Sequence, residues 1–238
     1  MEIRNIEPKI RFLKDMKEVV YDSDFAKKNP DIELYYMYRN LFENEQDNKI
    51  MEEKNLRYDI TVLNPVMIGK EFNKTAGHDH PLVPGTNITY PEIYEVLEGE
   101  VIFLIQDSKE DEIKNVFAIK SKKGDKIIMP PNYEHIMINA SNKKVKTANW
   151  ICNVFMQNIY EPFKKSQGFS YYALKSDSGE IEWIKNENYK NIPELKFIEP
   201  NQRLEQFRIN KNEEIYNLIK DLSKLDFLKN PQNYEWGK

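Results

Sequence analysis

From Tyr58 to about Tyr160 the chain is built of short apolar or alternating runs: Ile60 to Leu63, Ile93 to Leu97, Val101 to Ile105, Val116 to Ile119, Lys126 to Met129, His135 to Asn139 and Thr147 to Phe155. Turn signals separate them, among them Glu98-Gly99-Glu100, Lys123-Gly124-Asp125 and Pro130-Pro131-Asn132. Many short strands at this spacing predict an antiparallel sandwich or barrel, an all-β core. Ser170 to Leu174 and Glu182 to Ile184 read as further strands. The flanks have a different pattern. Residues 1–56 carry mixed charge, helix-compatible spacing (Ile10, Phe12, Leu13, Met16, Val19, Val20) and the aromatic cluster Leu34-Tyr-Tyr-Met-Tyr-Arg39. They predict an extension of one or two helices and an irregular aromatic segment packed on the barrel. Near the C-terminus, Ile215, Leu218, Ile219, Leu222, Leu225 and Leu228 form an apolar stripe that predicts an amphipathic helix, starting near Asn212 and stopping before Pro231. The expected division is an N-terminal extension over 1–56, a barrel over 57–195 and a C-terminal helical extension over 196–238.

The 238 residues, 40% of them hydrophobic, suffice for one sizeable core with appendages. The net charge is -4 and both signs are interspersed, so no basic face exists to track a phosphate backbone, and nucleic acid is not an expected partner. No stretch approaches the ~20 apolar residues of a membrane helix, and the N-terminus lacks a charged segment followed by an apolar one. A soluble, cytoplasmic protein is expected, with no membrane partner. The one cysteine, Cys152, lies in the apolar run Trp150 to Phe155 and reads as a buried strand residue in a reducing compartment.

The chain has only three histidines, and all fall where a metal would want them. On a strand, residues i and i+2 point the same way, so His78 and His80 can present both imidazoles on one face while Asp79 points away. Glu92 opens the next strand with Tyr94 on its side, and Glu95 has the opposite parity. Further along, Gly124-Asp125 starts a strand, Pro130-Pro131-Asn132 makes a tight corner, and His135 follows it. Asn132 suits a corner that needs a left-handed residue, and Asn139 reads as a turn fastener. Three imidazoles and one carboxylate around a divalent ion leave positions open for water or substrate, as a catalytic site requires.

These spacings resemble the two cupin motifs. Gly124 to Asn139 matches G-x5-P-x-G-x2-H-x3-N except that Asn132 replaces a glycine, and His78-x-His80 is followed by Glu92-x6-Gly99. The eleven residues between His80 and Glu92, where cupins carry only a few, imply an inserted loop, Pro81 to Pro91, at the barrel mouth. The strings Leu56-Arg-Tyr-Asp-Ile-Thr61, Lys74-Thr-Ala-Gly-His-Asp-His80 and Tyr90-Pro-Glu-Ile-Tyr-Glu-Val-Leu97, with Tyr35 to Arg39 and Asn149-Trp150, resemble the archaeal-type, or cupin-type, glucose-6-phosphate isomerases. The resemblance runs from roughly Met16 to Tyr172.

That resemblance implies a cupin fold (a double-stranded β-helix, jelly-roll-like) and interconversion of glucose 6-phosphate and fructose 6-phosphate, a step of glycolysis and gluconeogenesis. It implies one divalent ion, iron, manganese, zinc or nickel, held by His78, His80, Glu92 and His135. It places phosphate-binding groups at Thr61, Thr75 and Gly77, substrate-side tyrosines at Tyr94 and Tyr160, and a sugar phosphate as small-molecule partner of a homodimer. Glu92 and Tyr94 are the expected catalytic residues, because isomerisation moves a proton between neighbouring oxygens and a carboxylate at the site can relay it. Lys74 is a candidate charge partner for the phosphate. Two positions depart from the family pattern: Glu134 stands where relatives have glycine, and Asn158 where some have histidine. The same donor set would suit a cupin dioxygenase with a three-histidine, one-glutamate iron site, or a sugar-binding cupin without turnover.

Overall fold

The short runs become strands because β-branched and aromatic side chains fit a pleated, half-buried surface. The computed structural model describes residues 6–109, 112–154 and 159–236. In chain order its strands are β1 (Lys9–Phe12), β2 (Glu33–Tyr38), β3 (Leu56–Leu63), β4 (Met67–Ile68), β5 (Glu71–Lys74), β6 (Glu92–Glu98) and β7 (Glu100–Lys109). Then follow β8 (Glu112–Lys122), β9 (Lys126–Met129), β10 (Glu134–Asn139), β11 (Val145–Cys152), β12 (Tyr171–Lys175), β13 (Ile181–Lys185) and β14 (Lys196–Phe197). They form two sheets that curl toward each other. One is six-stranded in the order β1-β2-β3-β11-β6-β9; the other is eight-stranded, with β13-β12-β5-β10-β7-β8-β14 in a row and β4 on β5. Sequential neighbours such as β7 and β8 pair as hairpins, while β11 crosses to lie between β3 and β6. This is the predicted all-β, jelly-roll-like barrel.

The N-terminal residues differ in part from expectation. Two short helices are present, α1 (Ser23–Lys28), capped by Asp22, and α2 (Glu45–Lys54), capped by Asn44. The aromatic segment, however, is strand β2. It pairs Tyr35 with Leu63 and Tyr38 with Ile60, so it extends the barrel sheet instead of packing on it. Its bulky side chains alternate across the two faces of the sheet, which explains the lack of an amphipathic helical pattern.

Strands β3, β11 and β6 are buried on both faces. One face looks into the barrel, with Leu63, Val96, Phe103, Met137 and Val145 in the main core. The other, with Tyr58, Ile60, Ile93, Ala148 and Trp150, is covered by the C-terminal segment, whose Leu204, Phe207, Ile215, Leu225, Phe227 and Leu228 form a second core. Double burial is why Trp150-Ile-Cys reads as a continuous apolar run, and Cys152 is indeed buried.

That segment is not the predicted α-helix. It is a chain of 3₁₀ turns over Ile215–Lys220, Leu222–Leu228 and Pro231–Asn233. The stripe itself explains the difference: from Ile215 through Leu218, and on through Leu222, Leu225 and Leu228, most steps are of three residues, the 3₁₀ period. Asp221, at φ -148° and ψ 76°, bends the chain between the first two turns and keeps the stripe on the sheet. Buried polar contacts fix the register. Trp150 Nε1 donates to Ile215 O at 2.7 Å, Ile215 N–H donates to Glu95 Oε2 at 2.7 Å, and Lys126 Nζ lies 3.3 Å from Glu95 Oε1.

Residues 196–201 also link the sheets. β14 pairs in parallel with the edge strand β8. A few residues on, the Asn201 N–H donates to the Lys126 carbonyl of the edge strand β9 at 2.9 Å, and Asn201 Oδ1 accepts from the Lys126 N–H at 2.8 Å. No helix among the described residues is long and apolar enough to cross a membrane.

Phe227 is fully buried, its ring centroid 4.1 Å from that of Phe207. Phe227→Ala is therefore expected to destabilise the protein by about 3–5 kcal/mol, the cost of emptying an aromatic site in a packed core. Urea unfolding followed by fluorescence checks this; a loss below about 1 kcal/mol would mean that the C-terminal segment is not part of the cooperative core.

Candidate metal centre and sugar-phosphate cavity

Four elements meet at one end of the barrel. The chain after β5 runs antiparallel to the start of β10, with His78 bridged to His135. Gly77 precedes it at φ +77°, and a Cβ there would stand 2.8 Å from Ile136 Cγ2, so only glycine fits this turn. Asn132 occupies the left-handed corner at φ +64°. Its amide N–H and side chain exchange hydrogen bonds with Thr89, which pins the inserted loop at the mouth. Asn139 fastens the turn after β10, accepting from Ser141 and donating to Lys143 O.

The ligand atoms converge. His78 Nε2 and His80 Nε2 are 3.1 Å apart, and Glu92 Oε2 is 3.4 Å from His80 Nε2 and 3.3 Å from His135 Nε2. One ligand atom from each of the four residues lies within 4.8 Å of all the others. Atoms bound about 2.1 Å from one ion stand about 3.0 Å apart when adjacent in an octahedron and about 3.4 Å apart in a tetrahedron, so these separations fit a divalent cation. The surrounding bonds aim the set. His80 Nδ1 faces the Tyr90 carbonyl at 2.6 Å; a carbonyl only accepts, so Nδ1 carries the proton and Nε2 presents its lone pair. Asn149 Nδ2 donates to Glu92 Oε1 at 2.5 Å, while the buried Oε2 has no hydrogen-bond partner. A cluster of inward-facing acceptors is costly in a buried site without a cation to receive them.

Burial pushes the His78 imidazolium well below its usual range, helped by His135 and His80, and takes His80 down to about 4 against the pull of Glu92. Burial alone would raise Glu92, but the His135 and His80 imidazoles beside it bring it below the ordinary carboxylate value. Burial, reinforced by Glu92, holds the Tyr94 phenol well above its ordinary range. Near neutral pH the centre thus presents neutral His78 and His80, an ionised Glu92 and a protonated Tyr94, the ligand states that metal binding needs.

The centre opens into a cavity lined by Tyr35, Arg39, Arg57, Thr61, Thr75, Gly77, Tyr94, Asn149 and Tyr160, among others. Eight of the nine sequence-predicted site residues line this cavity, and the ninth, His80, joins them through the ligand cluster. Tyr94 Oη is 3.1 Å from His135 Nε2, and the Tyr160 ring centroid is 6.1 Å from that of His78. Glu95 faces the opposite side, as its parity required. Glu134 also points away; Gln106 and Ser108 donate to it, and burial pushes it up to about 7. Lys74 is a correction: it is buried in an ion pair with Glu71 at 2.6 Å and stands over the Tyr172 ring, outside the cavity lining. Asn158 lies outside the described residues. Sequence reasoning gave no role to Arg39, Arg57 or Asn149, although the shared parity of Arg57, Asp59 and Thr61 was the available signal.

An all-β double-sheet barrel with three histidines and one glutamate at its mouth defines a cupin. The family model that matches, described as glucose-6-phosphate isomerase, covers residues 10–192, and the chain belongs to that family. It is 32% identical over 144 residues to a glucose-6-phosphate isomerase of Thermococcus litoralis, spanning 59% of this chain and 67% of that one. It is 26% identical over 184 residues to one from Pyrococcus horikoshii, spanning 76% and 88%. Among solved structures it resembles an oxalate decarboxylase of Lactobacillus farciminis at a TM-score of 0.39 and 15% identity, over 54% of this chain and 32% of that one. The family match favours the isomerase over the dioxygenase reading.

Two outcomes follow from the centre. His78→Ala and His135→Ala should each abolish stoichiometric binding of a divalent ion while leaving the far-ultraviolet dichroism unchanged; full metal occupancy in either would dismantle the ligand set. His80 has a folded-state value of about 4 against 6.5 for the free side chain. Between those values the unfolded chain binds a proton that the folded chain does not, so the metal-free protein loses stability as pH falls from 6.5 to 4. His80→Gln should flatten that slope by on the order of 3 kcal/mol across the window in denaturation at stepped pH.

Proposed function

We propose that the chain interconverts glucose 6-phosphate and fructose 6-phosphate at the His78, His80, Glu92 and His135 cluster, with one divalent metal ion as resident cofactor. The observation that carries this reading is the convergence of three imidazole nitrogens and one carboxylate oxygen on a cavity, in a chain of the isomerase family. When bound, the ion supplies Lewis acidity toward the sugar oxygens at C1 and C2.

The protein's own groups do the rest. Glu92 is ionised and fixed through Oε1 by Asn149, and its carboxylate relays the proton between the C2 and C1 oxygens as a hydrogen passes between C2 and C1. Tyr94 keeps its proton and donates a hydrogen bond to a sugar oxygen beside the cluster. The depressed His78 and His80 stay neutral and do not compete for the migrating proton. Thr61 and Thr75 hydroxyls and the Gly77 amide serve the phosphate, and Tyr160 lines the path of the sugar chain. The near-complete burial of His80, Glu92 and His135 keeps bulk water from the reacting oxygens.

The test is a coupled assay of fructose 6-phosphate conversion, with and without added divalent ion. Glu92→Gln retains an oxygen donor of nearly the same shape but loses the base, so kcat should fall by about 100-fold or more. Binding of a hexitol 6-phosphate should survive. Normal turnover in Glu92→Gln would move the proton relay to another group.

A further inference from the structure

With Lys74 paired to Glu71, the neutral donors Thr61, Thr75 and the Gly77 amide cannot by themselves balance a phosphomonoester that carries about two negative charges. Among the described residues lining the cavity, the permanent cations are Arg39 and Arg57. Both are held by Asp59, which is fully buried. Its carboxylate accepts from Arg39 Nη1 at 2.6 Å, from Arg57 Nε at 2.9 and 3.0 Å, and from the Asn40 N–H at 2.9 Å. Arg57 Nη1 donates to Asn153 Oδ1 at 3.1 Å. Asp59 lies between Arg57 and Thr61 on the same face of β3, about 7 Å from each along the strand.

From this arrangement, and resting on the isomerase reading above, we infer that Arg39 and Arg57, clamped by Asp59, are the charge-selecting residues of the cavity and make it a site for a phosphorylated sugar over an unphosphorylated one. The two guanidiniums cancel the charges of Asp59 and Glu92. A divalent ion then leaves the cavity with about two positive charges, the complement of a phosphomonoester dianion. Arginine suits the task because its planar fork spends some N–H groups on Asp59 and keeps others to meet oxyanion edges. A single Asp59 prevents the two cations from repelling each other and fixes them on a strand, so little ordering remains to be done when the ligand arrives.

The experiment measures, by titration calorimetry on the metal-supplemented full chain, the binding of a hexitol 6-phosphate, the matching unphosphorylated hexitol and inorganic phosphate to the unmutated protein and to Arg57→Met, Arg57→Lys and Arg39→Met. Steady-state kinetics run in parallel. In the methionine variants hexitol 6-phosphate and inorganic phosphate should weaken by about 10- to 100-fold, the effect of losing one charge-assisted contact. KM for the sugar phosphate should rise by a similar factor while kcat and hexitol binding stay within about threefold, and Arg57→Lys should recover part of the loss. Equal weakening of hexitol and hexitol 6-phosphate would overturn the inference in favour of a purely structural clamp. A fall in kcat with unchanged KM would also overturn it and place the charge on the reacting atoms. Arg57→Lys keeps a cation for Asp59 and so remains informative if a methionine variant fails to fold. An unmutated protein that binds the phosphorylated ligand without turning over the sugar phosphate would refute the isomerase reading alone, and the comparison of ligands would still decide the inference.

Discussion

A strand presents only every second residue to one side, and at β3, β11 and β6 that rule governs the molecule. The inward positions carry Arg57, Asp59 and Thr61 on β3, Asn149 on β11, and Glu92 and Tyr94 on β6, while register places Asn149 beside both Asp59 and Tyr94. The outward positions carry Tyr58, Ile60, Ala148, Trp150 and Ile93. Assembling the polar set in one cavity thus forces an apolar set onto the reverse face. The chain answers with its C-terminal segment. The cavity and the second core are two sides of one periodicity.

Within the cavity each charged group is restrained by a neighbour that cannot move far. Asn149 holds one oxygen of Glu92, the Tyr90 carbonyl holds the far nitrogen of His80, and Asp59 holds both arginines. Such restraint comes from rigid strands and a pinned loop, so the geometry does not wait for a ligand to assemble it. It also explains why the inserted loop of Pro81 to Pro91 is fastened to the Asn132 corner: Tyr90, whose carbonyl orients His80, is part of that loop.

Much of this was legible in the sequence. Scarcity of histidine removed accidental pairs, glycine and proline marked the corners, and strand parity separated Glu92 from Glu95. What escaped had physical reasons. The C-terminal stripe steps mostly by three residues, a 3₁₀ period that the adjacent pair Leu218-Ile219 disguises as an α-helical one. β2 was hidden because its bulky apolar and aromatic side chains occupy both faces of the sheet, so burial alternates where hydrophobicity does not. Lys74 follows the motif's numbering into the site, but its parity is opposite to that of Thr75, and its ammonium pairs with Glu71 outside the cavity lining. Arg39 was missed because its partner Asp59 lies on β3, a long-range pairing that no local spacing encodes, whereas Arg57 stands two residues from Asp59 and only its shared parity pointed to the site.

The strap formed by residues 196–201 has a wider consequence. Open sheet edges offer unpaired backbone groups to any passing strand and are the usual starting points of unwanted association. Here one border of each sheet, β8 and β9, is occupied by one short stretch, through Lys196 and Phe197 on one side and Asn201 on the other. Protection of the two borders is therefore a single property: whatever lifts the strap exposes both templates together, and whatever seats it hides both.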